Sequence, residues 1–312
     1  LNVFNQNIAN LTGIEDFIAI TYLECSRNQI STIDISNNNA LTTFSCDGNS
    51  ITSLDFSNNT ALTTISCGSN QLTSIDISNN TALTSFSCYS TLITNLDVSN
   101  NTALTSLQCY NNQLTSLNLS NNTALTYLDC GINQITTLDL SNNTALTQLW
   151  NSSNPIVSLD LSNNTALTYL GCSQNQLTSL DLSNNSALTD LEIAYNQLTS
   201  LDVSNNTALN YLDCGNNQLA DLDTRNGNNT NFTFFNSVNN SNLNCISVDD
   251  ATWATANWTN IDSHTIFLDD CASYVALDAD FSADGVIVCE GTPTIFTDES
   301  VGSQGITSWS WD

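Results

Sequence analysis

The stretch LTYLDCGINQITTLDLSNNTA, residues 125–145, decides the fold. Moving 21 residues in either direction returns nearly the same letters, and self-similarity at a fixed period in this range marks a solenoid. The unit is itself close to a duplicate. Leu125, Leu128, Cys130 and Asn133 follow the order L-x-x-L-x-C-x-x-N, and Ile135, Leu138, Leu140 and Asn143 repeat it. Each half therefore offers a short strand with alternate residues pointing in, then a turn closed by an inward Asn. One such unit has too few apolar side chains to offset the entropy of ordering its backbone. Stacking closes the deficit, because neighbouring turns share hydrogen bonds and their apolar columns become continuous.

Comparing the repeats with one another assigns roles to the columns. The regular array covers residues 21–223, about ten turns. Eight of the 11 Cys (Cys25, Cys46, Cys67, Cys88, Cys109, Cys130, Cys172 and Cys214) share one slot, which Asn151 and Ile193 fill in the other two turns. A slot that accepts Ile is a packing slot, where reduced Cys behaves as a small hydrophobe. Stacked Cα atoms about 4.8 Å apart could bridge on distance alone. Their Cβ vectors run parallel, however, and a straight column supplies no converging metal ligands. A ladder of buried free thiols is expected. Two Asn columns, one per half-turn, are expected to satisfy turn backbone by donating and accepting at once.

The 21-residue unit resembles the leucine-rich repeat, whose L-x-x-L-x-L-x-x-N-x-L core is written here as Leu125, Leu128, Cys130, Asn133 and Ile135. The nested L-x-x-L-D-L half is similar to a bacterial subclass that lacks long helices. The fold implied is mainly β: a leucine-rich-repeat solenoid with short strands on both sides of each turn, few helices, a C-terminal cap and a partial β-sandwich tail. Residues 1–20 form a degenerate edge or partial N-terminal cap through Leu1, Val3, Ile8, Leu11 and Ile14. Residues 224–272 form the C-terminal cap, with one short helix capped by Asp249 or Asp250. Cys245 and Cys271 lie outside the ladder, with Trp253 and Trp258 between them. Similar caps end related repeat proteins, and that resemblance supports a Cys245–Cys271 disulfide and an oxidising compartment. Residues 273–312, closing on Trp309-Ser310-Trp311-Asp312, resemble the start of a PKD-type immunoglobulin-like domain that stops short, leaving Cys289 without an obvious partner. With no initiator Met, the chain reads as a piece of something longer.

Charge narrows the functions. Thirty acidic residues against Arg27 and Arg225 give a net charge of −28. Phosphate binding needs cations, so nucleic acid is excluded, and anionic membranes are disfavoured. No apolar run is long enough for a membrane helix. Catalysis finds no nucleophile–base pair: the thiols face the core, where they are inert, and His264 is the lone His. No cofactor is implied. The Asp column of the second half-turn could bridge calcium at Asp139, Asp160, Asp181 and Asp202; hydrogen bonds from turn Ser and Asn groups are the plainer account.

The outward columns flanking the strand Leu vary most. Early turns carry mostly Ser and Thr there. Late turns carry Tyr127, Asp129, Gln148, Trp150, Tyr169, Asp190, Glu192, Tyr211 and Asp213, a patch running roughly 20 Å along the axis at strand spacing. Exposed rings beside carboxylates suit recognition of a protein or a glycan on another surface. The function expected is non-catalytic recognition or adhesion by a secreted or surface-displayed bacterial protein. The alternative is a structural spacer or a self-associating surface component.

Overall fold

The computed structural model describes residues 1–273, 281–283 and 296–298. Two compact units result, Leu1–Asp269 and Asp270–Asp312.

In the first unit, each L-x-x-L-x-C motif makes a three-residue strand with its central residue buried and its flanks outward. The strands Tyr22–Glu24, Thr43–Ser45, Thr64–Ser66, Ser85–Ser87, Ser106–Gln108, Tyr127–Asp129, Gln148–Trp150, Tyr169–Gly171, Asp190–Glu192 and Tyr211–Asp213 pair in parallel, each with its equivalent 21 residues on. An eleventh, Phe234–Asn236, adds in register after a 23-residue step. At the other end an isolated bridge joins Asn2 to Glu24, and Ile14 is buried. Inside, Leu, Ile, Phe and Cys columns form one continuous core.

All eight ladder cysteines are free and fully buried, as are Asn151 and Ile193 in the same slot. Burial pushes the Cys25, Cys88 and Cys172 thiols up to about 12. The first Asn column both donates and accepts. Asn133 Nδ2 donates to the carbonyls of Cys109, Cys130 and Gly131, each at 3.1 Å, and its Oδ1 accepts the Leu114 N–H at 3.0 Å. The second column departs from expectation. Asn80 Nδ2 donates to the Phe56 and Asn59 carbonyls, but Oδ1 is unpartnered from Asn38 through Asn206. Nearby N–H groups are already committed, Asn80 to Ile77, Leu83 to Asn80, and Ser78 to Asp76 Oδ1. A Thr ladder was not foreseen. Hydroxyls from Thr42 to Thr189 each donate to the Thr carbonyl one turn back, for example Thr126 to Thr105 at 3.1 Å.

Strands on both sides of each turn are a correction. The second side pairs as sheet only at Ser200–Asp202, Asp221–Asp223, Cys245–Ser247 and Ile266–Leu268. In the turns that carry the Asp, its carboxylate takes the N–H two residues on and the Asn column takes a carbonyl, in the late turns that pair as sheet as well as in the earlier ones. The turn after each first-side strand needs a left-handed residue. Arg27, Gly48, Ser69, Ser90, Asn111, Ile132, Ser153, Gln174, Tyr195 and Asn216 all have φ between 50° and 65°. Only Gly48 is a residue that favours this region freely.

Helix α1, Ala251–Asn257, begins at Asp250, whose carboxylate accepts the Trp253 N–H at 2.9 Å. Trp258 follows it, stacked on Phe235 at 4.0 Å and packed against Phe232, Trp253 and Phe267. Cys245 and Cys271 are both disulfide-bonded. In the second unit, Phe281–Ala283 and Phe296–Asp298 pair antiparallel. Cys289 and the closing Trp-Ser-Trp-Asp lie outside the described residues, as does most of the stretch that resembles a PKD-type domain.

Candidate functional site

The first sheet brings the nine candidate residues together in two rows. Register aligns Tyr127, Gln148, Tyr169, Asp190 and Tyr211 in one row, and Asp129, Trp150, Gly171, Glu192 and Asp213 in the other. Because each central Leu points into the core, both rows face outward. Gln148 is exposed, and so is Trp150, which keeps 38% of its surface open. The other seven are half-buried.

One glycine shapes the patch. Gly171 faces Trp150 across the strand pair, and a Cβ there would sit 3.0 Å from the Tyr169 hydroxyl oxygen. The missing side chain lets the Tyr169 ring lie over Gly171 and stack on Trp150, with centroids 3.9 Å apart and planes 21° apart. Comparison of columns could have found this, since Gly171 is the one Gly in its column. The Tyr169 hydroxyl is buried beside the Glu192 carboxylate, without a hydrogen bond of regular geometry. Burial, then the Glu192 carboxylate, pushes that hydroxyl well above its ordinary range. Burial first, and then Glu192, Asp213 and Asp190, also raises Tyr211. Both hydroxyls stay protonated donors at neutral pH. Burial raises the Asp129 carboxyl too, opposed by the Gly131 N–H that it accepts at 3.2 Å.

The patch reaches further than the sequence indicated. Phe234 continues the Tyr211 row and stacks on Tyr211 at 4.6 Å; its 23-residue offset hid it from a 21-residue comparison. Tyr89 and Tyr110, one slot after the ladder, stack at 4.9 Å and 4° in the early turns, with the Tyr89 ring lying where a Cβ on Gly68 would be.

The Asp column behaves differently. Asp139, Asp160, Asp181 and Asp202 each accept the N–H of the Ser two residues on, at 2.8–2.9 Å. The Ser hydroxyl, then its N–H, holds the Asp139 and Asp160 carboxyls below their usual range. Among the described residues no three His, Cys, Asp or Glu side chains gather as a metal would require. Also among them, no helix is long and apolar enough to cross a membrane.

No family model matches the chain, and no curated protein matches it. Among solved structures, the functional domain of InlJ from Listeria monocytogenes, described as including a cysteine ladder, is 35% identical with a TM-score of 0.74. That match covers 86% of this chain, which spans only 62% of the InlJ domain. The internalin inlF, also from Listeria monocytogenes, is 25% identical with a TM-score of 0.67, covering 84% of this chain and 85% of its own. A leucine-rich-repeat protein of Leptospira interrogans shares the fold at 18% identity and a TM-score of 0.68, covering 82% of this chain and 74% of its own. The chain is a mainly β leucine-rich-repeat solenoid of about twelve turns.

Proposed function

We propose that this solenoid is a non-catalytic recognition module of a secreted or surface-displayed bacterial protein, and that it binds a protein partner through the outward face of its late turns. The Trp150–Tyr169 stack over Gly171 carries the proposal. Large exposed rings invite unwanted association. Here they are set in register beside carboxylates rather than scattered, and protonated Tyr hydroxyls supply donors between them. Rings of this kind are the usual anchors of protein interfaces. The similarity to the InlJ domain and to an internalin supports a surface role, and the disulfide-bonded Cys245 and Cys271 fit an oxidising compartment. We assign their bond to each other.

The test is binding to an array of extracellular host proteins, comparing the native chain with a variant in which Tyr127, Trp150, Tyr169 and Tyr211 are Ser. The native chain should retain at least one partner, and the variant should lose roughly a hundredfold or more in affinity for it. Its melting temperature should change by only a few degrees, since the four side chains lie outside the core. A spacer would show undiminished binding or surface attachment in the variant, and that outcome overturns the proposal.

A further inference from the structure

At the end of the first sheet the late-turn face gives way to a cavity of about 250 Å³. Its rings include Phe234, Trp253 and Trp258, beside Phe232 and Phe235, and its polar groups include Asn257, Thr259 and Asn260. Phe234 reaches it from the eleventh strand, the two Trp from α1 and the residue just after it. The three polar residues are exposed. Asn257 Nδ2 donates back to the Trp253 carbonyl at 2.8 Å, which orients its amide along the helix end. Trp258 is 5% exposed, and its indole N–H has no hydrogen-bond partner.

The lining is notable for what it excludes. The chain carries 30 acidic residues, yet no side chain that lines this cavity is titratable. The walls are aromatic faces, amides and hydroxyls. A cation gains nothing specific there, and an anion meets the field of a chain at −28. A purely apolar side chain would strip water from the Asn and Thr groups without replacing their hydrogen bonds. A compact neutral molecule with an apolar face and a rim of hydroxyls satisfies both kinds of wall, which is the ordinary division of labour in small-ligand sites. The volume admits about one ring.

We propose that this cavity is a binding site for a neutral pyranose, either free or as one unit of a glycan, that stacks on the aromatic wall and hydrogen-bonds to Asn257, Thr259 and Asn260. The site adjoins the late-turn protein face and shares Phe234 with it, which stacks on Tyr211.

The probes are the methyl glycosides of glucose, galactose, mannose and N-acetylglucosamine, followed by saturation-transfer NMR against the whole chain. At least one should bind with a dissociation constant on the order of 1–10 mM, as expected for so small a ligand. Phe234→Ser, and separately Asn257→Ala with Asn260→Ala, should each weaken it at least fivefold with the fold intact by circular dichroism. A late-face variant with Ser at Tyr127, Trp150 and Tyr169, which leaves Tyr211 stacked on Phe234, should bind the glycoside unchanged. Silence from all four glycosides at 50 mM overturns the proposal, as does binding indifferent to the cavity variants. Binding lost only in the late-face variant would move the sugar to that face and overturn the cavity site. If N-acetyltryptophanamide binds and no glycoside does, the cavity is an anchor for a protein side chain, and the sugar is wrong.

Discussion

Asn133→Ala should destabilise the solenoid by roughly 1–3 kcal/mol, read as a fall in the denaturation midpoint. The side chain holds three carbonyls and one N–H, on two successive turns, with all of its bonds buried. The Cys109, Cys130 and Gly131 carbonyls each keep a second donor, from Asn112 Nδ2, Asn154 Nδ2 and the Asn111 N–H, so the group that Ala leaves unpaired is the buried Leu114 N–H, at a cost of about 1–3 kcal/mol. The chain already contains a milder version of this change. Thr91 occupies the same column, its hydroxyl 3.1 Å from the Cys88 carbonyl and 2.6 Å from Asn112 Oδ1. A hydroxyl on so short a side chain cannot also reach the Leu72 N–H, so that turn is served by fewer bonds. A loss below about 1 kcal/mol for Asn133→Ala would mean that backbone alone satisfies these turns.

Trp258→Ala should cost about 3–5 kcal/mol, the usual range for emptying a buried aromatic site, and lower the melting temperature by roughly 10 °C. Trp258 joins the ends of both sheets. It stacks at 8° on Phe235 of the first sheet and meets Phe267 of the second edge-on, with Phe232 and Trp253 completing the cluster. Removing it loosens the cover over the last paired strands, whose free backbone groups then invite association. The expected outcome is a lower melting temperature together with aggregation on heating. An unchanged melting temperature would show that the terminal turns need no aromatic cover.

The inward columns were legible because the repeats are internal controls on one another. Ile193 in the Cys slot identified a packing position without any structure, and the Asn columns identified the turns. The outward rows followed by alternation, which is why all nine candidate residues fall on one face. What stayed hidden depended on geometry that column identity does not carry. The left-handed turn position escaped notice because nine of its ten occupants, Ile132 and Tyr195 among them, are residues other than Gly and carry no sequence mark of positive φ. The second Asn column looked identical in sequence to the first, but the N–H groups near it are taken by main-chain carbonyls and the Asp carboxylates. Phe234 lay two residues out of step. The stack of Tyr169 on Trp150 needed the absence of a side chain at Gly171, a diagonal relation between neighbouring strands that reading down columns does not expose.

Every assignment of an inside and an outside rests on the direction of the eight-membered sulfur column. Thiol alkylation read residue by residue tests it. In the native protein at pH 8, Cys25, Cys46, Cys67, Cys88, Cys109, Cys130, Cys172 and Cys214 should stay unmodified by iodoacetamide over hours, because they are free, fully buried and held protonated by burial. In denaturant all eight should react together and without prior reduction. Rapid native labelling anywhere along the column, or a need for reductant before it labels unfolded, would contradict the account and turn the proposed recognition face inward.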